Sequence, residues 1–169
     1  FQLWINLPAL EKMKPAGYQD IQVEDIPNLA LANGGSVKVI AGSYEHDGHE
    51  VQGPIQGVTT EPLFLDVHLP PNMEFEHRIS QELNAFIYVY GGDLAVGDPM
   101  KVAPKQAAIV LGAGDRLKVK SDGAGAQFIV LAALPLHEPI VQHGPFVMNT
   151  QAEIEQAIDD YQNNRFVVA

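Results

Sequence analysis

The sequence contains no cysteine among its 169 residues, which excludes disulfide bonds, thiolate metal ligands and a cysteine nucleophile. It lacks any run of about 20 apolar residues, so no transmembrane helix of ordinary length is expected. Basic residues are scarce, since 10 Lys and Arg face 21 Asp and Glu, for a formal net charge of −11. Because this charge repels phosphate backbones and no Lys/Arg cluster offsets it, we expect no direct nucleic-acid binding. The missing cysteines and the lack of a signal-peptide pattern together predict a cytoplasmic protein.

What is present is a succession of short strand patterns separated by turn residues. The 12 prolines and 15 glycines are spread along the chain rather than gathered in one tract. From residue 36 onward, apolar and β-branched runs alternate with turns that contain Gly, Pro or Asp. These runs are Val37–Ala41, Leu63–Leu69, Ala85–Tyr90, Asp93–Val96, Ala107–Leu111, Arg116–Lys120 and Gln127–Leu134. Their spacing predicts an all-β fold, an antiparallel sandwich or barrel, over residues 36–148.

The beginning of the chain has a different pattern. Phe1–Leu7 alternates apolar and polar side chains with period two, which predicts a half-buried strand that Pro8 ends. A long connection rich in Pro and Gly then reaches residue 35, and connections of this length usually cross between domains or wrap a surface. Residues 1–35 are therefore predicted to form a crossover strand and an interdomain connection. An open strand pairs readily with another chain, so we expect association through Phe1–Leu7.

Only the end of the chain has a helical pattern. Thr150 and Glu153 have the spacing of a capping box. From Ile154 to Tyr161, apolar residues recur at i, i+3, i+4 and i+7, which gives one apolar stripe. Residues 149–169 are predicted to form a C-terminal helix and tail.

The histidines are the side chains best suited to chemistry in a chain without cysteine. His46 and His49 flank Asp47 and Gly48 in a predicted loop, where opportunistic capture of a cation is expected rather than a preorganised site. His143 precedes Gly144-Pro145, and its ring is expected to hydrogen-bond the backbone and fix a bend before the helix. The remaining histidines are His68, expected on the polar face of a strand, His137, beside a Pro-rich turn, and His77.

An ordered set of segments resembles the pirin family, whose members are two-domain cupins. The most specific segment is the run from His143 to Asn149, His-Gly-Pro-Phe-Val-Met-Asn, together with the preceding Glu138. The others are Gln2–Pro8, Lys12-Met13, Tyr18-Gln19, Ile26-Pro27, Gly91 to Asp93 with Gly97, and Leu111-Gly112 with Gly114-Asp115. The set extends over essentially the whole chain.

The resemblance implies a bicupin, in which two β-barrels face each other and a terminal helix packs against the assembly. In this family the N-terminal barrel binds one metal, usually iron, through three His and one Glu, and all four would lie before Phe1. The chain is therefore expected to be the C-terminal half, a cupin-type antiparallel β-barrel (jelly roll) with a C-terminal α-helix. No catalytic, cofactor-binding or metal-binding residue is assigned to it, and iron or another divalent metal is expected only in the missing N-terminal domain.

The cupin metal pattern can be tested on the segment Glu74–Glu82. A first motif requires His-x-His and a following Glu, and a second motif supplies another His. Phe75 occupies the first His position, His77 occupies the second, and Glu82 has nearly the carboxylate spacing. Since no histidine lies between His77 and His137, the second motif is empty. Two ligands would hold a divalent ion weakly.

Three functions remain open. The first is a non-metal, structural and interaction half of a bicupin, in a family linked to quercetin 2,3-dioxygenase activity and transcription-cofactor roles. The second is an autonomous metal-dependent dioxygenase that uses a degenerate site at His77 and Glu82. The third is a binding module that contacts another protein through a barrel face or the acidic surface. The expected partners are the missing N-terminal cupin domain, a second copy through Phe1–Leu7, or a protein with a basic face.

Overall fold

A computed structural model describes residues 2–32 and 34–166. The chain forms two compact units. Residues 21–135 form the strand-rich unit, and residues 1–20 with 136–169 form the terminal unit. These units are defined by contacts in space. The boundaries 1–35, 36–148 and 149–169 divide the chain by sequence pattern instead, and they stay predictions. No helix in the described parts of the chain is long and apolar enough to cross a membrane.

The strand-rich unit contains ten described strands. They are β1 (Asn28–Ala30), β2 (Ser36–Ala41), β3 (Ser43–His46), β4 (His49–Gln52), β5 (Leu63–Leu69), β6 (Glu74–Arg78), β7 (Asn84–Val96), β8 (Lys101–Ala103), β9 (Ala108–Val110) and β10 (Arg116–Ala133). One sheet has the order β1-β2-β5-β10-β7-β8, with β6 paired to β10 and β9 paired to β7. All of these ladders are antiparallel, and β3 and β4 form a separate hairpin. The predicted all-β class is confirmed, although the ladders of the described residues do not close into a continuous ring.

The core of this unit follows from strict alternation along its strands. In β5, Leu63, Leu65, Val67 and Leu69 are buried while the residues between them are half-buried. Successive side chains of a strand point to opposite faces, so one face of the sheet collects the apolar residues. The inward residues of β2, β7 and β10 join them, and Phe128 at the centre is fully buried.

Two glycine-containing segments that the sequence suggests as turns lie inside long strands. The runs Ala85–Tyr90 and Asp93–Val96 are both part of β7, and β10 likewise joins two predicted runs. Register shifts mark these points in the β7–β10 ladder. Gly92 has φ +65°, and a Cβ atom there would overlap the carbonyl oxygen of Gly125. The glycines therefore permit close backbone approach at bulges, which keeps both strands continuous.

The strand predicted for residues 1–7 is not formed over residues 2–7, and Phe1 lies outside the described residues. In this part of the terminal unit only a short 3₁₀ turn, Ala9–Glu11, is regular. Trp4 is 66% exposed, and no described strand pairs with its segment. Alternation alone does not make a strand, because the backbone N–H and C=O groups also need a neighbouring strand.

The C-terminal part of the terminal unit has the predicted helix. Strands β11 (Val141–His143) and β12 (Phe146–Met148) form a hairpin, and α1 (Gln151–Gln162) follows. The capping box is confirmed, since Thr150 Oγ1 accepts from the Glu153 N–H and the Glu153 carboxylate accepts from the Thr150 N–H. Ile154 and Ala157 are buried with Met148. The apolar stripe of α1 thus packs on its own hairpin.

Candidate functional site

An open cleft of about 1250 Å³ lies on the strand-rich unit. Its walls are the β3–β4 hairpin, residues within 55–63, and the segment from Glu76 to Leu83. His77, one of the two residues that match the cupin metal pattern, belongs to this segment. The cleft therefore contains part of the alternative site at His77 and Glu82.

Phe75 and His77 lie on the same face of β6, two residues apart. Phe75 is 4% exposed, and its ring meets that of Phe128 edge-on, with centroids 6.0 Å apart. The first ligand position of the motif is thus part of the hydrophobic core. Since a phenyl ring offers no lone pair to a metal, the residues present do not fit the cupin metal centre.

His77 is a half-buried polar residue of this cleft. Its ring lies 5.2 Å from that of Tyr44, and the described residues offer its nitrogens no hydrogen bond. Burial lowers the pKa of His77 from 6.5 to about 4, because the apolar surroundings penalise the imidazolium. The side chain is therefore neutral at pH 7 and can both donate and accept a hydrogen bond.

Tyr44 completes an aromatic floor beneath the cleft. Its ring is nearly parallel to that of Phe75, with centroids 6.1 Å apart and an interplanar angle of 12°. Burial, and then the charge of Asp47, raise the pKa of the Tyr44 hydroxyl. The stack of Tyr44, Phe75 and His77 fixes β3 against β6 through dispersion and ring electrostatics.

Glu82, the other residue of the alternative site, lies in an exposed turn after β6. Its backbone N–H donates to Ser80 Oγ at 3.3 Å. Within residues 2–32 and 34–166, no three or more His, Asp or Glu side chains converge in the arrangement of a metal site. The geometry therefore gives the alternative dioxygenase site at His77 and Glu82 no complete ligand set.

The rim of the cleft is mainly acidic. One lining residue on the rim, Arg78, is basic, while the lining carboxylates are Glu45, Asp47, Glu50, Glu61 and Glu76. Glu76 forms an ion pair with Arg116 at 2.8 Å on the neighbouring strand. The rim thus disfavours anions such as phosphates and carboxylates.

A second polar cluster on the strand-rich unit was not expected from the sequence. The Tyr90 hydroxyl donates to Asp66 Oδ1 at 2.5 Å, and His68 Nε2 lies 2.7 Å from the same hydroxyl. Because the single hydroxyl proton goes to Asp66, His68 donates its Nε2–H to Tyr90. Burial, and then the hydrogen bond with Asp66, raise the pKa of Tyr90.

The cluster of Asp66, His68 and Tyr90 depends on a bulge. Register between β7 and β10 shifts between Gln127 and Phe128, so Tyr90 has no direct partner on β10. Bulges redirect side chains, and here the redirected ring reaches across β10 to β5. The only sequence signal was the outward i, i+2 pair Asp66 and His68.

The remaining histidines hold no assembled site. His137 is exposed with φ +53°, in the connection after β10. His143 is exposed at the end of β11, where it pairs in register with Phe146, and its ring forms no hydrogen bond with described residues. The bend there is made by the turn at Gly144 (φ +55°), contrary to the expectation that the His143 ring fixes it. His46 and His49, expected in a loop, instead lie on paired strands.

Glu138 organises the terminal unit. Its Oε2 accepts from the Ala9 N–H at 2.8 Å and from Asn149 Nδ2 at 2.9 Å. Asn149 Nδ2 also donates to the Pro139 carbonyl at 3.0 Å. One carboxylate therefore joins the first segment of the chain to the residue that precedes the helix cap.

Comparison with known proteins agrees with this fold. The family described as the Pirin C-terminal cupin domain matches residues 64–167. Pirin-1 of Arabidopsis thaliana is 41% identical over 166 residues, covering 96% of this chain and 56% of that protein. Pirin of Homo sapiens is 38% identical, covering 96% of this chain and 55% of that protein.

Two further relatives have names that refer to an activity. A Pseudomonas aeruginosa protein, whose name gives quercetin 2,3-dioxygenase as its candidate activity, is 44% identical over 99% of this chain and 59% of its own length. The crystal structure of quercetin 2,3-dioxygenase from Acinetobacter baumannii superposes with a TM-score of 0.84 at 31% identity, over 96% of this chain and 55% of that one. The chain spans little more than half the length of these relatives. It has the cupin fold and belongs to the pirin family.

Proposed function

We propose that this chain is the non-metal C-terminal cupin part of a two-cupin protein, with a structural and interaction role. The observation that carries the proposal is Phe75, which fills the first ligand position and packs into the core against Phe128. Rebuilding a metal centre there would require opening the core. The neutral imidazole of His77 and the exposed Glu82 are left without the further ligands that a tight site needs.

The proposed partner is an N-terminal cupin domain. Nearly all of this chain aligns with only 59% of the Pseudomonas aeruginosa relative and 55% of human pirin, so these relatives contain further sequence. In the terminal unit, Leu10 is 98% exposed, Tyr18 92% and Met13 61%. Large apolar side chains exposed along one segment are typical of a surface that another protein surface covers. We therefore propose that this segment packs on the N-terminal domain.

Two other partners are alternatives to the N-terminal domain in this interaction role. A second copy could occupy the same segment, in which case pairing through Phe1–Leu7 would have to form on association, because residues 2–7 are not a strand here. A protein with a basic face would be attracted by the net charge of −11.

The activity is proposed to belong to the whole protein. In this proposal iron, or another divalent metal, is held by the N-terminal domain, and any quercetin 2,3-dioxygenase activity depends on that metal. Transcription-cofactor roles would likewise need both halves. A cytoplasmic location is part of the proposal, since a chain without cysteine gains nothing from an oxidising compartment.

The test is reconstitution with a separately produced N-terminal cupin domain, followed by sedimentation and calorimetry. We expect a one-to-one complex, weakened at least about tenfold by Leu10→Asp or Tyr18→Asp. The matched control is Val110→Asp, an 84% exposed position on β9 of the other unit, which should bind as the wild type does. A chain that stays monomeric and does not bind the N-terminal domain would contradict the proposal.

The rival dioxygenase is tested on the chain alone. After chelation and reloading with iron, one tight equivalent that disappears in His77→Ala would defeat the non-metal assignment. Quercetin turnover that His77→Ala abolishes would do the same. We expect neither.

A further inference from the structure

The separate hairpin of the strand-rich unit places two histidines directly opposite each other. His46 ends β3, His49 begins β4, and the two are register partners. Asp47 (φ +50°) and Gly48 (φ +76°) form the two-residue connection, with both residues in the left-handed region. This is the backbone of a type I′ turn, whose twist matches that of the flanking strands. The segment is therefore a preorganised hairpin, where the sequence had predicted a loop.

Direct register places both imidazoles on one face. Opposed residues of an antiparallel pair have Cβ atoms about 4.5–5.5 Å apart, a spacing that two ligands of one metal ion can adopt. His46 is held in place by its own strand, since its ring lies 6.4 Å from that of Tyr44 two residues earlier. Its side chain is 24% exposed. One ligand of the pair is thus positioned before any ion arrives.

The turn adds a carboxylate to the two imidazoles. Asp47 Oδ2 lies 3.5 Å from His46 Nε2. Two ligands at about 2.1 Å from a tetrahedral ion are separated by about 3.4 Å. The two atoms therefore already have the separation of neighbouring ligands.

Charge around the hairpin favours a cation. Glu45 and Glu50 are also direct register partners, so two carboxylates oppose each other beside the turn. No Lys or Arg lies between Tyr44 and Gln52. These two carboxylates lie on the opposite face from the imidazoles, because successive residues of a strand alternate, so they are not ligands but add negative charge around the turn.

From this geometry we propose that His46 and His49, with Asp47, form a binding site for a late first-row divalent metal ion, copper, nickel or zinc. Imidazole ligands favour these ions over magnesium or calcium. No three such groups already converge in the described part of the chain, so the exposed His49 ring must rotate to complete the set. Water fills the remaining positions, which makes the site accessible and weaker than a closed structural one.

The test uses the metal-stripped, untagged chain with nickel, zinc or copper chloride in a buffer that does not chelate. Calorimetry is expected to show one saturable site per chain with micromolar affinity. His46→Ala and His49→Ala should each weaken binding at least about tenfold, and Asp47→Asn should weaken it less. Because only deprotonated imidazole binds a metal, affinity should also fall on acidification.

Paramagnetic resonance of the copper-loaded chain gives the ligand identity. Two coordinated imidazole nitrogens are expected in the wild type and one in His49→Ala, whose exposed position leaves folding intact. The control is His143→Ala, an exposed histidine of the terminal unit that should bind and report as the wild type does. Equal binding in wild type, His46→Ala and His49→Ala, or no saturable site at all, would overturn the proposal. Neither result bears on the N-terminal partner, which the Leu10 and Tyr18 variants test separately.

Discussion

Acidification from pH 7 to pH 4 should destabilise the strand-rich unit through His77. The folded state lowers the pKa of this imidazole to about 4 because burial penalises its charged form, whereas the unfolded chain returns it to about 6.5. Unfolding at acid pH is thus accompanied by proton uptake. The stabilising contribution of neutral His77 is complete above about pH 6.5, is lost as the pH falls toward 4, and then stays constant.

The size of the effect follows from the shift. A difference of about 2.5 pKa units at about 1.36 kcal/mol per unit corresponds to roughly 3 kcal/mol. The ring is half-buried beside an open cleft, so solvent reduces this figure, and about 2 kcal/mol is the expected loss. For a domain of ordinary stability this is a substantial fraction of the total.

The assay is urea unfolding at a series of pH values between 7.5 and about 4, since stability depends on pH through the difference in bound protons. His77→Phe retains an aromatic ring next to Tyr44 but cannot titrate. Its free energy of unfolding should fall less over this range than that of the wild type, by about 2 kcal/mol. His49→Gln, an exposed position in the same unit, is the control and should keep the wild-type slope.

The two proteins are compared by how steeply the free energy of unfolding changes with pH. A packing change caused by the phenyl ring shifts that free energy equally at every pH, so it does not alter the comparison. If His77→Phe loses stability on acidification as steeply as the wild type, the proposed role of His77 burial is refuted. The outcome also bears on the cleft, since a charged imidazole at neutral pH would change which ligands it could accept.

Three further predictions concern the backbone and the polar contacts. Gly92→Ala should lower the free energy of unfolding by at least about 3 kcal/mol, because the new Cβ meets the Gly125 carbonyl at a left-handed position. The control Gly123→Ala, where the new Cβ has open space, should lower it far less. Thermal unfolding of the two variants measures the difference. Tyr90→Phe should lower the free energy of unfolding in urea by about 1–3 kcal/mol, because it leaves the Asp66 carboxylate and the His68 imidazole without their shared partner. An unchanged free energy of unfolding would contradict the hydrogen-bond assignment. Thr150→Ala should destabilise α1 by about 1 kcal/mol, measured as faster amide exchange in that helix, and unchanged exchange would show that the capping box contributes little.

The sequence pattern correctly predicted the elements that depend mainly on their own residues. The apolar run Leu63–Leu69 predicted β5, and the spacing of Thr150 and Glu153 predicted the cap of α1. The opposite case is Phe1–Leu7, where the pattern was as regular but no described strand takes up the backbone hydrogen bonds of residues 2–7. A strand is a property of a pair, so a single segment cannot specify it.

The site depended more on the tertiary structure. Phe75 and His77 could be assigned from the sequence to failed ligand positions, but their stacking with Tyr44 joins residues about 30 positions apart. The contact between Tyr90 and Asp66 spans 24 residues and depends on a bulge that glycines make possible. Such contacts leave no local signal, because register and bulges are decided between strands.

The amino-acid sequence by itself determined the all-β class, the capped terminal helix and the loss of the cupin ligand pattern. These follow from the period of the side chains and from residue identity, which are local quantities. Only the tertiary structure decided that His46 and His49 oppose each other across a tight turn, that His77 is neutral, and that Glu138 joins both ends of the terminal unit. Each of these is set by burial and by partners distant in sequence, which exist only once the strands have paired.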